Sequence, residues 1–160
     1  MEMQVRSKTE KDTEWIKKLF INEWGSEVVL SNNKIYKPEE VLGIIVEHDN
    51  KKVGLLTFII DAEKIEIITL NSLEKNRGIG TLLIDELKKI AQEERCKRII
   101  LETTNENISA LSFYQKRGFQ IIAVYPNAIN EARKTKPEIP LVGENGIPIR
   151  DALELELKLA

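Results

Sequence analysis

Leu70-Asn71-Ser72-Leu73-Glu74-Lys75-Asn76-Arg77-Gly78-Ile79-Gly80-Thr81 is the stretch on which the reading of this chain turns. The apolar run Ile65 to Leu70 leads into it and an amphipathic pattern leads out. A strand that passes through a glycine-containing turn straight into a helix leaves several backbone N–H groups unpaired and pointing one way. The helix dipole adds about half a positive charge at the same spot. Such a turn holds phosphate without further apparatus. Gly78 and Gly80 carry no Cβ, so a bulky anion is expected to approach the main chain closely. The ligand this predicts is a pyrophosphate.

Two familiar phosphate loops do not fit. A Walker loop needs Gly-Lys followed by Ser or Thr, which the sequence lacks. A dinucleotide fingerprint needs a third glycine where Leu83 stands. Glu102, placed along the chain as a ribose acceptor would be, keeps a nicotinamide-dependent reading open. A Gly-x-Gly by itself is equally compatible with a tight turn that binds nothing.

A second motif follows one strand later: Asn107-Ile108-Ser109-Ala110-Leu111-Ser112-Phe113-Tyr114-Gln115-Lys116-Arg117-Gly118-Phe119. Together the two segments resemble the GNAT superfamily of N-acetyltransferases. That family carries Arg/Gln-x-x-Gly-x-Gly/Ala at its pyrophosphate loop and Asn-x-x-Ala-x-x-Phe-Tyr-x-Lys-x-Gly-Phe on the following helix. The second pattern is matched at each fixed position; the first departs at Lys75, which keeps the charge and loses the fork of an arginine. The resemblance spans residues 3 to 126 and the last strand. It implies acetyl-CoA as cosubstrate, with Lys75, Asn76, Arg77, Gly78, Ile79, Gly80 and Thr81 around the pyrophosphate. It also implies backbone contacts from Thr69 and Leu70 to the acetyl group and the pantetheine arm, and further cofactor contacts from Asn107 and Lys116. Asn107 also reads as a helix cap, and Lys116 as a solvated lysine.

Composition narrows the class. A chain of 160 residues suits one domain, and 42% hydrophobic with 31% charged residues is ordinary for a globular protein. The net charge of −2 gives no basic excess that asks for nucleic acid or an anionic membrane. The N-terminus lacks an apolar signal core, and no apolar run approaches a membrane span. One cysteine, Cys96, leaves no internal disulfide and points to a reducing cytoplasm. It reads as an inert surface thiol at a helix end, with basic neighbours Arg95, Lys97 and Arg98 that could lower its pKa. With a single His and a single Cys, no His–Cys zinc cluster can be built.

Along the chain, Gln4 to Ser7 reads as a strand and Lys8 to Trp24 as a helix capped at Asp12 or Thr13. Residues 25 to 40 read as a short helix or a loop. Val41–His48 and Lys52–Ile60 form a hairpin about Asp49-Asn50. Strand Ile65–Leu70, helix Gly78–Arg95, strand Arg98–Glu102, helix Asn107–Lys116 and strand Phe119–Tyr125 follow. In Ala152–Leu159, Leu153, Leu155, Leu157 and Leu159 alternate as a strand with one buried side. This order predicts a single α/β (α+β) domain with a mixed, mostly antiparallel sheet of about seven strands flanked by helices. Pro126 to Asp151 holds four of the five prolines and reads as a substrate-side loop or lid.

Acetyl transfer to an amine needs hydrogen bonds where charge develops on the carbonyl, loss of an amine proton, and departure of a thiolate. Glu66 is the candidate base, as a carboxylate sharing a strand face with Ile68 and Leu70; a wet glutamate paired with a lysine is the plain alternative. Tyr114 is the second catalytic candidate, since the resemblance places it near the cofactor sulfur. Arg150 and Trp24 are looser candidates for the acceptor side. The acceptor is an amine, with a small molecule favoured, and a homodimer is common in the family. A non-catalytic acyl-CoA-binding or sensor module on the same fold is the alternative function.

Overall fold

A computed structural model describes residues 2–160. Its centre is a seven-stranded sheet in the order β1-β4-β5-β6-β7-β9-β8, beside a separate two-stranded hairpin, β2-β3. The strands are β1 (Gln4–Ser7), β2 (Val29–Ser31), β3 (Lys34–Tyr36), β4 (Leu42–His48), β5 (Lys51–Asp61), β6 (Lys64–Ser72), β7 (Arg98–Thr104), β8 (Gln120–Tyr125) and β9 (Ala152–Lys158). The helices are α1 (Thr13–Trp24), α2 (Ile79–Glu93), α3 (Ile108–Lys116) and α4 (Ala128–Thr135). Only β6 and β7 run parallel; every other neighbouring pair in the large sheet is antiparallel.

Local chemistry sets the connections. Asp49 and Asn50 both take positive φ, which twists β4 into β5 as a two-residue hairpin requires. Residues 25 to 40, expected as helix or loop, hold the β2-β3 hairpin and a 3-10 turn at Pro38–Glu40. Asn32 and Asn33, again with positive φ, supply the same kind of turn. Helix α1 begins at Thr13 rather than Lys8, after a 3-10 turn at Glu10–Asp12. The Asp12 carboxylate accepts from Thr9 N–H and takes a two-pronged bond from Arg6, which fixes that turn.

Each face of the sheet has its own core. Ile79, Leu83, Ile84, Leu87 and Ala91 of α2 meet Ile44, Val46, Leu56, Ile65, Ile67, Ile99 and Leu155 on one face. Ile16, Leu19 and Phe20 of α1 meet Ile45, Leu55 and Val29 on the other. Each such Leu or Ile contributes roughly 1.5–3 kcal/mol by leaving water, so the two apolar stripes fix where the helices lie. Among the described residues, no helix is long and apolar enough to cross a membrane.

Candidate active site

The parallel pair parts company half-way. Strand pairing between β6 and β7 runs from Lys64↔Arg98 to Ile67↔Leu101 and stops there, although both strands continue, to Ser72 and Thr104. Backbone groups of Ile68–Leu70 and Glu102–Thr104 that face the gap therefore have no partner strand across it. A bulge lies at the same level. Thr57 pairs with Thr69, and Phe58 with Ile67, which leaves Ile68 as the extra residue. A cavity of about 470 Å³ opens here, lined by Thr69, Leu70, Glu102, Thr104, Asn107 and Tyr114 among others.

The bulge corrects the reading of Glu66 and Leu70 as neighbours on one face. Leu70 packs with the α2-side core, whereas Ile68 packs with the α1-side core. Thr69 points to the α1 side, where its hydroxyl lies 2.6 Å from that of Thr57. A largely apolar run hides such an inserted residue, because Glu66 and Thr69 alone do not define an alternation.

At the turn into α2, Gly78 has φ +71° and open space where a Cβ would stand, as an anion-binding turn needs. Asn76 is likewise left-handed. Lys75, Asn76 and Arg77 are solvent-exposed. Gly80 serves another purpose: a Cβ on it would lie 2.8 Å from the Phe113 ring. Its bareness lets α3 pack on α2. Arg117, unremarked in the sequence, ties the same corner together. Its guanidinium stands 3.6 Å from the Phe113 ring centre and donates to Thr81 Oγ1 and to the Phe113 carbonyl. The Phe-Tyr-x-Lys-Arg spacing was the available signal, since it puts Arg117 one turn beyond Phe113.

Helix α3 carries Asn107 at its start, where the side-chain oxygen accepts from Ala110 N–H at 3.1 Å. The cap is real, and the residue also lines the cavity. Tyr114 is buried, lies edge-on to Phe113 and Phe119, and lines the cavity as well. Burial holds its hydroxyl well above the ordinary tyrosine pKa, so it stays a proton donor. Lys116 is exposed and away from the cavity lining.

The carboxylates sit on the α1 side of the sheet, under the β2-β3 hairpin. Glu66 is 7% exposed, and its Oε2 is buried without a hydrogen-bond partner. It does not itself line the cavity; Glu102 does. Burial pushes the Glu66 pKa up, against the pull of Lys64 and Lys34. Burial and then the Glu66 charge push Glu102 up, against a hydrogen bond from the Asn32 backbone. Cys96 also departs from expectation. It is buried, and desolvation raises its pKa in spite of its basic neighbours.

Residues 126–151 contain α4, which brings Ala128, Ile129 and Ala132 to the cavity, with Lys136 and Ile139 just beyond it. Lys136 Nζ donates to the Val28 carbonyl, so this segment reaches the residue just before β2. Arg133 donates to the carbonyls of Ile139, Pro140 and Ile149 and gathers the rest of the segment around itself. The Asn105 side chain pins the far end through Arg150 N–H, Asp151 N–H and the Pro148 carbonyl. Trp24 lines the cavity; Arg150 is exposed, pairs with Asp151 and stands outside it.

The model of the acetyltransferase (GNAT) family matches residues 10–119. The chain belongs to this family. The match sets aside the nicotinamide-dependent reading. Two Bacillus subtilis relatives are similar over most of their length: the uncharacterized protein YdhI, 44% identical with 84% of each chain covered, and the uncharacterized protein YxbD, 45% identical with 88% of this GNAT chain and 89% of the relative covered. Among solved structures, a Bacillus subtilis acetyltransferase in complex with CoA has a TM-score of 0.75 at 20% identity, with 99% and 100% of the two chains covered. An IAA acetyltransferase from Bacillus cereus has the same TM-score at 17% identity, again covering 99% and 100%. These likenesses establish the GNAT fold.

Proposed function

We propose that this GNAT protein transfers an acetyl group from acetyl-CoA to an amine. The observation that carries the reading is the parting of β6 and β7 beyond Ile67 and Leu101. It lies between a helix N-terminus with open space at Gly78 and a cavity lined by Tyr114 and Glu102. The residues present fit coenzyme A. The Lys75–Thr81 turn offers backbone N–H groups to a pyrophosphate, with Lys75 and Arg77 as exposed charges beside it. The unpaired edge of Thr69 and Leu70 offers main-chain bonds to the pantetheine arm and the acetyl oxygen.

In the reaction the amine nitrogen forms a bond to the thioester carbonyl carbon, the C–S bond breaks, and the amine gives up a proton. Freeing an alkyl amine of its proton at pH 7 costs roughly 4 kcal/mol. The Glu66–Glu102 pair, both held above the ordinary carboxylate range, takes that proton through water. Tyr114 donates its hydroxyl hydrogen bond to the departing sulfur. A thiol pKa is near 8.5, below that of the buried tyrosine, so Tyr114 steadies the thiolate and solvent completes its protonation. α4 and the segment after it close over the amine. The chain works in the reducing cytoplasm, with a small amine as partner and a homodimer as the assembly the family resemblance implies.

The test is free-thiol release from acetyl-CoA across a broad amine panel, with hydrolysis subtracted. Amine-dependent release supports the reading. Tight acetyl-CoA binding with no release for any amine would make this a binding module instead.

A further inference from the structure

The α1-side face of the sheet holds more carboxylates than one proton transfer requires. Glu102 and Glu154 are direct cross-strand partners on β7 and β9, and like charges so opposed destabilise a sheet. Glu66 shares their face one strand over, since its partner on β7 is Ile100, two residues from Glu102. The fourth acid on this face, Glu156, is treated differently: Arg98 pairs with it at 2.7 Å. Glu66, Glu102 and Glu154 form no ion pair among the described residues; Lys34 and Lys64 act on Glu66 only from further away. Glu154 accepts from the Tyr125 hydroxyl at 3.0 Å, and Tyr125 and Glu102 both line the cavity.

The second observation is the orphaned Oε2 of Glu66, buried in a residue that is 7% exposed. Its neighbours on this face, Glu102 and the hairpin residue Ser31, are cavity-lining. A buried acceptor with no donor is destabilising unless a ligand supplies one. An ammonium group has three N–H donors and no acceptor, which suits three carboxylates that act on one another across this face, of which Glu102 lines the cavity and Glu66 and Glu154 do not. It would sit away from the Thr69–Tyr114 side where the thioester is expected. With Ile68 bulged out, Glu66 pairs with Ile59 and Thr69 with Thr57, so the two stand two β5 residues apart, roughly 7 Å at strand spacing. Lys136, the cation on the cavity lining, comes from the α4 side and bonds to Val28.

Resting on amine acetylation as proposed above, we infer that the acceptor is an aliphatic diamine or polyamine, whose second ammonium is held by Glu66, Glu102 and Glu154. The far amine attacks the acetyl carbon while this one stays charged. The bond changes are those of the proposed reaction, with one N–C bond formed and one C–S bond broken.

Two readouts on the full chain test this. In thiol-release assays, 1,5-diaminopentane should exceed pentylamine in kcat/KM by roughly 10- to 100-fold, the range a charge-assisted bond supplies. Glu154→Gln and, separately, Glu66→Gln should collapse that ratio towards one, mainly through the diamine KM. In calorimetry with excess CoA present, the diamine should bind the parent more tightly than pentylamine does, and each variant should lose roughly 10-fold of that affinity. Equal handling of the two amines by the parent overturns the inference, as does a diamine preference that survives both substitutions. If no amine releases thiol, the acetylation reading fails, and the calorimetric comparison still decides for or against the dication site.

Discussion

Gly80 and Phe113 are packed so closely that a Cβ on the glycine would stand 2.8 Å from two atoms of the ring. Phe113 in turn carries the Arg117 guanidinium on its face, and Arg117 returns to Thr81 on α2. The two sequence motifs therefore meet as one joint, with the Lys75–Thr81 turn on one side and the Tyr114 helix on the other.

Gly78 and Gly80 should consequently fail in different ways. Gly80→Ala pushes the Phe113 ring aside and should destabilise the fold by about 1–3 kcal/mol, as overpacking does. Gly78→Val meets open space but a strained φ of +71°, and should act mainly through lost acetyl-CoA affinity. Thermal melts paired with acetyl-CoA calorimetry separate the two. Matching melting losses and parental binding in both variants would refute the division of roles.

Arg117→Ala should lower stability by about 1–2 kcal/mol, from the lost stack and hydrogen bonds. Arg117→Lys should recover little of it, because an ammonium reproduces neither the flat contact nor the fork. Chemical denaturation midpoints check this directly. Full rescue by lysine would mean that charge alone matters there.

How much of this was legible depended on whether a pattern was local. The turn into α2, the α2 stripe and the alternating leucines of β9 depend on near neighbours, and their places in the fold are legible. The extra residue at Ile68 did not, because Ile65 to Leu70 is apolar throughout except at Glu66 and Thr69. The β2-β3 turn at Asn32-Asn33 and the Ala128, Ile129, Ala132 stripe of α4 are short signals set among prolines and polar residues. By its spacing along the chain, Glu102 reads only as a ribose acceptor. Its place in the cavity follows from where β6 and β7 separate, a tertiary fact that no spacing along the chain encodes.

Tyr114→Phe should cut turnover by roughly 10- to 1000-fold while leaving acetyl-CoA affinity near the parent's, since the ring packing is kept. Because burial keeps this hydroxyl protonated, its ionisation should not shape the rate profile through neutral and mildly alkaline pH. Pre-steady-state assays at saturating substrates would show the loss. An unchanged chemical step would remove Tyr114 from the mechanism.

Arg133→Ala should loosen the 139–149 stretch, whose carbonyls it gathers. If the segment closes over the amine as proposed, the amine KM should rise several-fold and acetyl-CoA affinity should hold. Unaltered amine kinetics in this variant, and in one with 137–148 replaced by a short Gly/Ser linker, would reduce the segment to decoration.

Glu66 links stability and turnover in opposite directions. Its pKa in the folded chain is raised, by burial first, so its protonated form is the one the fold favours. A carboxyl group of this kind contributes stability that is fully present below its unfolded pKa, near 4.3. That contribution is lost as pH climbs through the higher folded value. At neutral pH the ionised group is therefore a burden on the fold, and its unpaired Oε2 adds to it. Glu66→Gln should raise the melting temperature by a few degrees at pH 7–8, and the gain should shrink as pH falls towards 4. The same variant should turn over more slowly at neutral pH with a flatter acidic limb, and recover in part at higher pH where more amine is already neutral. Melts and rate profiles over one pH series test both halves. A parent that is the more stable protein at pH 8, with a rate profile the variant reproduces in shape and height, would show that Glu66 is paired in solution and idle in the reaction.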